Sequence, residues 1–353
     1  MRRSRFPSLL PSAALLALLL PAGAAFAEPD VRIVTSLKPI ELLVHAVATP
    51  GMTVTTLVPS GASPHTYQMR PSERQDLARA DRIFWVGPGM ENFLNRILTG
   101  PDFTDRAVSL APPGLLTAHG DEEHDDEGHE DHHDEHHDDH HGHDEHHHDE
   151  HHGDHHKEEG HEEAHHEQAE DPHAHDHGHG ADPHLWLDPA LALIMAGQIR
   201  DSLATLPGAD KAALDANLAR FRDTMKAKES QIRQQLQPAR DIAIFTYHDA
   251  FGRFAEHYGL SIAGVLTPTP ERSPGAQHLA KVQQQLAQAG QPCLLTEPQF
   301  SRQWWRNLTE EVNLRFSTWD PLASDIEADQ DGYLEFQQSL ADAVLKCLPE
   351  QAQ

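Results

Sequence analysis

Residues 242–265 read IAIFTYHDAFGRFAEHYGLSIAGV. Ile242 to Thr246 is a short apolar run rich in strand-forming residues, Ala250 to Tyr258 repeats apolar side chains at helical spacing, and Ser261 to Val265 is a second short run. Strand, helix and strand at this spacing form a βαβ unit, whose two strands run parallel. The pattern continues downstream with a helix Gly275 to Ala289, a strand Cys293 to Thr296, a helix Arg302 to Asn313 and a strand Arg315 to Thr318. It also stands upstream, as a strand Val31 to Thr35, a helix Pro39 to Ala48, a strand Thr53 to Val58, a helix Pro71 to Ala80 and a strand Ile83 to Val86. The expected fold is therefore α/β, with two Rossmann-like lobes in series, each built on a parallel sheet.

Between the two patterns, Asp210 to Gln237 places Leu214, Leu218, Phe221, Met225 and Ile232 at helical spacing, with neither Gly nor Pro before Pro238. A continuous helix of about 27 residues is about 40 Å long at 1.5 Å per residue, enough to brace both lobes. One linking helix is stiffer than two flexible strands, so no large clamshell closure is expected. The boundaries that follow are 28–209 for the first lobe, 210–237 for the linking helix and 238–353 for the second lobe.

The chain has 353 residues and a net charge of −29, spread very unevenly. Residues 119–179 hold 25 acids, a single Lys (Lys157) and 24 of the 30 histidines, so this tract alone carries −24. With almost no apolar side chains it has nothing to bury against its ordering entropy, and it is expected to be disordered without metal. Its composition points to cations, and no basic stripe exists to displace counterions from a nucleic acid. Two H-E-x-x-H strings, starting at His129 and His161, match the zinc-protease signature. A segment so rich in His and Glu yields about two such matches by chance, so they carry no information about protease activity.

Residues 1–27 read as a secretory signal peptide: Arg2, Arg3 and Arg5 precede the apolar run Leu9 to Ala22, and Ala25-Phe26-Ala27 fits the cleavage site. Pro11 and Pro21 bracket too few apolar residues to span a bilayer, so the mature chain is expected to be exported and not membrane-embedded. In an oxidising compartment the two cysteines, Cys293 and Cys347, are expected to form a disulfide, with Cys347 on the last helix.

Three histidines outside the tract occupy equivalent places. His65 lies in VPSGASPH past the end of a strand, His184 in DPHLWLDP before a helix, and His248 in TYHDAF after a strand. Asp320, in WDPL, also follows a strand. The carboxyl edge of an open α/β sheet is where ligands bind, and between two lobes that edge becomes a cleft. Three imidazoles and one oxygen suit Zn²⁺ in tetrahedral geometry, whereas Mn²⁺ prefers more oxygen. His45, His257 and His278, on helices, read instead as packing or solvated residues.

The strings PSGASPHTYQMRPSE, DPHLWLDP, FTYHDAFGRFAEHYGL, TEPQF and WDPLAS, with a His-rich insertion before the second, resemble the periplasmic zinc-binding components of bacterial ABC importers, the ZnuA type. The resemblance covers the chain from about residue 30 onward. It implies metal held between two lobes joined by a long helix, ligands at His65, His184 and His248, and delivery of Zn²⁺ to a membrane permease. Pro64 stands where some relatives carry a coordinating acid, which leaves the fourth position to Asp320, to water or to Glu297, the last otherwise suited to support a ligand from behind. No lipobox cysteine follows the leader, so a freely diffusing periplasmic monomer is expected. Two other readings share these features. A three-His zinc with an open position can activate water for hydrolysis, with Glu297 as base, and surface adhesins share the fold.

Overall fold

The computed structural model describes residues 31–113, 115–116, 181–267, 274–300 and 314–349. The leader, the 119–179 tract and the helix expected at Arg302 to Asn313 lie outside the described residues. The first sheet comprises β1 (Val31–Thr35), β2 (Met52–Thr56), β3 (Arg82–Trp85) and β4 (Ala107–Ser109), in the order β2-β1-β3-β4. The second comprises β5 (Ala243–His248), β6 (Ile262–Thr267), β7 (Pro292–Thr296) and β8 (Arg315–Thr318), in the order β6-β5-β7-β8. Every pairing is parallel, and the two orders are the same. The expected two-lobe α/β architecture is what the chain adopts.

In each sheet the connections from the first strand depart to opposite sides, which opens a crevice at the carboxyl ends of β1 and β3, and of β5 and β7. Helices α1 (Lys38–Val47), α2 (Pro71–Arg79) and α3 (Asn92–Leu98) belong to the first lobe, α6 (Gly252–Tyr258) and α7 (Ala276–Gln288) to the second. Helix α3 and strand β4 were not expected from the sequence. They are seven and three residues long, too short for a hydrophobic period to declare itself. In β5 the register with β6 shifts between Ile244 and Phe245. There the Phe245 ring lies against Gly264, where a Cβ would stand 2.8 Å from it, so only glycine fits beneath the ring.

Helix α4 (Pro189–Leu203) starts at Asp188, whose carboxylate accepts from Ala190 N at 2.8 Å while Pro189 supplies a preset first turn. The linking helix α5 (Lys211–Gln235) is capped by Asp210 through Ala213 N at 3.0 Å and, at 25 residues, runs about 37 Å. It buries Leu214, Leu218, Phe221, Met225 and Ile232, the apolar positions read from the sequence. It does not act alone. The last helix, α8 (Gly332–Leu345), packs on both α5 and α1, so the chain returns from the second lobe to the first and braces them twice. Cys347 sits in the turn just beyond α8 rather than on it, and is bonded to Cys293 at a Cα separation of 5.7 Å. The bridge ties the end of that brace to β7.

Of the two readings open to His257, packing or solvated, the structure shows packing. Its Nδ1 lies 3.0 Å from Asp188 Oδ1 and its Nε2 3.1 Å from Glu229 Oε1, so one imidazole joins α6 to the start of α4 and to α5. Arg233 on α5 pairs with the same Glu229 at 2.9 Å and donates to the His257 carbonyl. Burial alone would lower the His257 pKa, but hydrogen bonding and charge from Asp188, with Glu229, hold it above 6.5. Asp188 moves the other way: burial would raise its carboxyl, and the bonds from His257 and Ala190 hold it below 3.8. A group with a raised folded pKa stabilises fully below its unfolded pKa and loses that contribution as pH rises through the folded value. The clamp is therefore strongest from about pH 4 to 6.5 and fades on the alkaline side. The stability advantage of the native chain over His257→Gln, from urea unfolding of the metal-free protein, should shrink as pH rises from 6 to 9. An advantage that grows over that range would contradict the clamp.

Candidate metal centre

The carboxyl edges of both sheets meet, and three imidazoles converge there. His65 comes from the loop after β2, a path set by Pro59, Gly61 and Pro64; Gly61 has φ +80°, a conformation that side chains disfavour. His184 stands at the start of a single 3-10 turn, Leu185–Leu187, that leads into α4. His248 is the last residue of β5. Their ligand atoms all lie within 4.8 Å of one another. Nε2 of His184 is 3.3 Å from Nε2 of His65 and 3.5 Å from Nε2 of His248. Three nitrogens bound to one ion at about 2.0–2.1 Å in a tetrahedral array stand about 3.3–3.4 Å apart, so these spacings already fit a zinc-sized centre.

Two carboxylates, Glu297 buried and Asp182 mostly so, set which nitrogen faces inward. Glu297 Oε1 lies 2.6 Å from His248 Nδ1. Asp182 Oδ1 lies 2.7 Å from His184 Nδ1 and also accepts the His184 backbone N–H at 2.9 Å. An ionised carboxylate only accepts, so each Nδ1 carries the proton and each Nε2 presents a lone pair to the centre. The Glu297 contact follows from sheet register. Thr246 pairs with Leu295, and one pleat further along β5 and β7 sets His248 beside Glu297. Glu297 thus stands against the Nδ1 side of the His248 ring. Asp182 was missed; its signal was an acid two residues before a histidine, in a loop beside a compositionally extreme tract.

The electrostatics favour a cation. Burial, then the neighbouring His184 and His248, lower the His65 pKa to about 2, so this ring is neutral. At His248 burial opposes charge, but Glu297 prevails and holds the pKa above 6.5. Below that value a second proton occupies Nε2, so a metal ion must displace it and binding weakens as pH falls. Asp182, although buried, is kept below 3.8 by His184 and Arg253.

Asp320 is not brought to the centre. The histidines alone form the ligand group there among the described residues. The Asp320 carboxylate is occupied instead: Oδ1 accepts from Gln299 Nε2 at 2.7 Å and Leu322 N at 3.0 Å, and Oδ2 from Ser324 N at 2.6 Å. It shapes the loop Pro321 to Ser324, where Ala323 adopts φ 54°. That loop, with Met90, Phe300 and Pro64, gives the site apolar walls. Next to Met90, Glu91 is wholly buried and takes hydrogen bonds from Ser36 Oγ at 2.5 Å and from Val86 and Gly87 N at 3.0 Å, joining the ends of β1 and β3. Burial pushes its pKa up to about 7. The cavity amounts to about 10 Å³, near the roughly 10–15 Å³ that one water needs.

Comparison with known proteins gives the same answer from sequence. The family described as "Zinc-uptake complex component A periplasmic", ZnuA, matches residues 33–347. The chain belongs to the ZnuA family. It is 34% identical over 337 residues to the high-affinity zinc uptake system protein ZnuA of Yersinia pestis, covering 95% of this chain and 96% of that one. It is 39% identical over 326 residues to the ZnuA of Haemophilus influenzae, covering 90% and 92%. A crystal structure of a ZnuA aligns with TM-score 0.62 at 20% identity, over 89% of this chain and 99% of that one, and shares the fold.

In ZnuA proteins built this way the two carboxylates should matter nearly as much as the ligands. Asp182→Ala and Glu297→Ala should each weaken metal binding about 10- to 100-fold, measured by competition with a chromophoric chelator. Affinity unchanged in both would show that the Nδ1 contacts do not orient the rings.

Proposed function

We propose that this chain captures Zn²⁺ in the periplasm and delivers it to the membrane permease of an ABC importer. His65, His184 and His248 are the protein ligands, each through Nε2, and water fills the fourth position. The observation that carries this reading is the spacing of 3.3 and 3.5 Å between the Nε2 atoms, with the Nδ1 protons held by Asp182 and Glu297. Three neutral imidazoles form a compact shell that suits zinc better than manganese. Asp320 and Glu297 are each engaged elsewhere, which leaves the fourth place to solvent. Family membership supports the cargo, the compartment and the partner: the ZnuA proteins of Y. pestis and H. influenzae are named as high-affinity zinc uptake components.

Hydrolysis draws no support from the site. Glu297, the base such chemistry would use, places its Oε1 on His248 Nδ1. Among the described residues no helix is long and apolar enough to cross a membrane. The 119–179 tract, with its 24 histidines, offers further, weaker sites for zinc. It ends five residues before His184, where a raised local supply of metal serves the cleft.

Calorimetry separates these parts. A chain lacking 119–179 should bind one zinc tightly, where the full chain binds that ion and several weaker ones. In the shortened chain, replacing any one of the three histidines with Ala should cost at least about 100-fold in affinity, near 2.7 kcal/mol, whereas Asp320→Ala should stay within about threefold, near 0.7 kcal/mol. Tight binding of one zinc by the shortened chain with all three histidines replaced would overturn the assignment.

A further inference from the structure

The segment that carries His184 is fastened to the opposite lobe. Arg253, in the first turn of α6 and five residues past His248, extends to Asp182. Its Nε donates to the Asp182 carbonyl at 2.9 Å, and its Nη2 donates to the same oxygen. Its Nε also lies 3.7 Å from Asp182 Oδ2, with both side chains about four-fifths removed from solvent. The other carboxylate oxygen, Oδ1, is the one that holds His184 by both its ring and its backbone nitrogen. One side of Asp182 thus faces the second lobe's guanidinium, and the other faces the first lobe's ligand.

We infer that Arg253 is a positioning residue for metal capture, through which the second lobe sets the orientation of His184. The inference rests on His184 being a ligand. A planar guanidinium that grips a carbonyl with two N–H groups fixes the plane and height of its partner better than a single point charge does. With Asp182 fixed, its Oδ1 is presented to His184 Nδ1, and the ring is aimed before metal arrives. A single strand, turn and helix then governs two ligands. His248 ends the strand, and Arg253 on the helix aims His184 from across the cleft. The lobes must be docked as they are here for both rings to point inward, so a shift of α6 away from Asp182 would loosen the ion without moving His248 off its strand.

The test is the rate of zinc dissociation, read by transfer to a fluorescent chelator in excess, on the full chain. Arg253→Ala should raise the rate about 10-fold, in the range seen when a partner of a metal ligand is lost. Arg253→Lys should recover only part of the native rate, because an ammonium still donates to the carbonyl but lacks the planar two-point grip. Because Arg253 acts through the Asp182 carboxylate, adding Arg253→Ala to Asp182→Ala should raise the rate less than about twofold over Asp182→Ala alone. The Co²⁺-loaded Arg253→Ala protein should show visible bands altered from those of the native protein, as they are in Asp182→Ala. If Arg253→Ala does not fold, Arg253→Gln takes its place in every comparison. An unchanged dissociation rate with only the thermal midpoint lowered, or effects that add in full in the double variant, would overturn the inference while leaving the site intact. If His184→Ala retains native zinc affinity, the ligand assignment itself fails and the inference with it.

Discussion

Three imidazole lone pairs aimed at one point repel each other unless a cation sits among them, and this constraint organises the molecule. His184 and His248 reach that state because Asp182 and Glu297 hold the Nδ1 protons, and His65 because burial denies it a charge. Buried carboxylates are tolerated only when their hydrogen bonds are satisfied. The backbone N–H of His184 serves Asp182 in that way, and the register of β5 with β7 delivers Glu297 to its partner without a loop that must be ordered separately. Apolar walls from Met90, Phe300 and Leu322 exclude bulk water, which strengthens every charge interaction inside.

A centre assembled from two lobes is only as well defined as their docking. The three histidines come from both sides of the cleft, and so do the groups behind them. Trp186, two residues past His184, donates its indole N–H to the Pro321 carbonyl at 2.7 Å, and its own carbonyl accepts from Tyr333 on α8 at 2.8 Å. Ser60, near His65, donates to the Ser324 carbonyl at 3.2 Å. Together with α5 and α8 these contacts favour a stiff frame over a hinged clamshell. Stiffness suits a carrier whose ligand is one small ion: little rearrangement is needed to enclose it, and preorganised rings lose little entropy on binding.

Much of this was legible in the sequence, for identifiable reasons. Short strand-forming runs set between helical periods announce themselves, and of the eight strands among the described residues seven were found within two residues of their ends. The five buried positions of α5 follow helical spacing, with one turn skipped between Met225 and Ile232. The three histidines stood out because each follows a strand or precedes a helix, His65 in a loop whose path Pro and Gly fix. What sequence could not show was partnership across distance. An Asp after a strand looks the same whether it reaches a metal or closes its own turn; Asp320 does the latter, with Leu322 and Ser324 N–H groups close enough to claim it. His257 on an amphipathic helix gave no sign of its two carboxylates, which come from Asp188 and Glu229, far along the chain. Asp182 lay too close to a run of acids to be distinguished by type.

The most direct test of the central claim is zinc-edge X-ray absorption on the chain lacking residues 119–179, loaded with one equivalent of zinc. Three imidazoles and one further light atom at about 2.0–2.1 Å are expected, with the outer-shell scattering that rigid imidazole rings produce. A shell with fewer than three imidazoles, or a six-coordinate shell rich in oxygen, would contradict it.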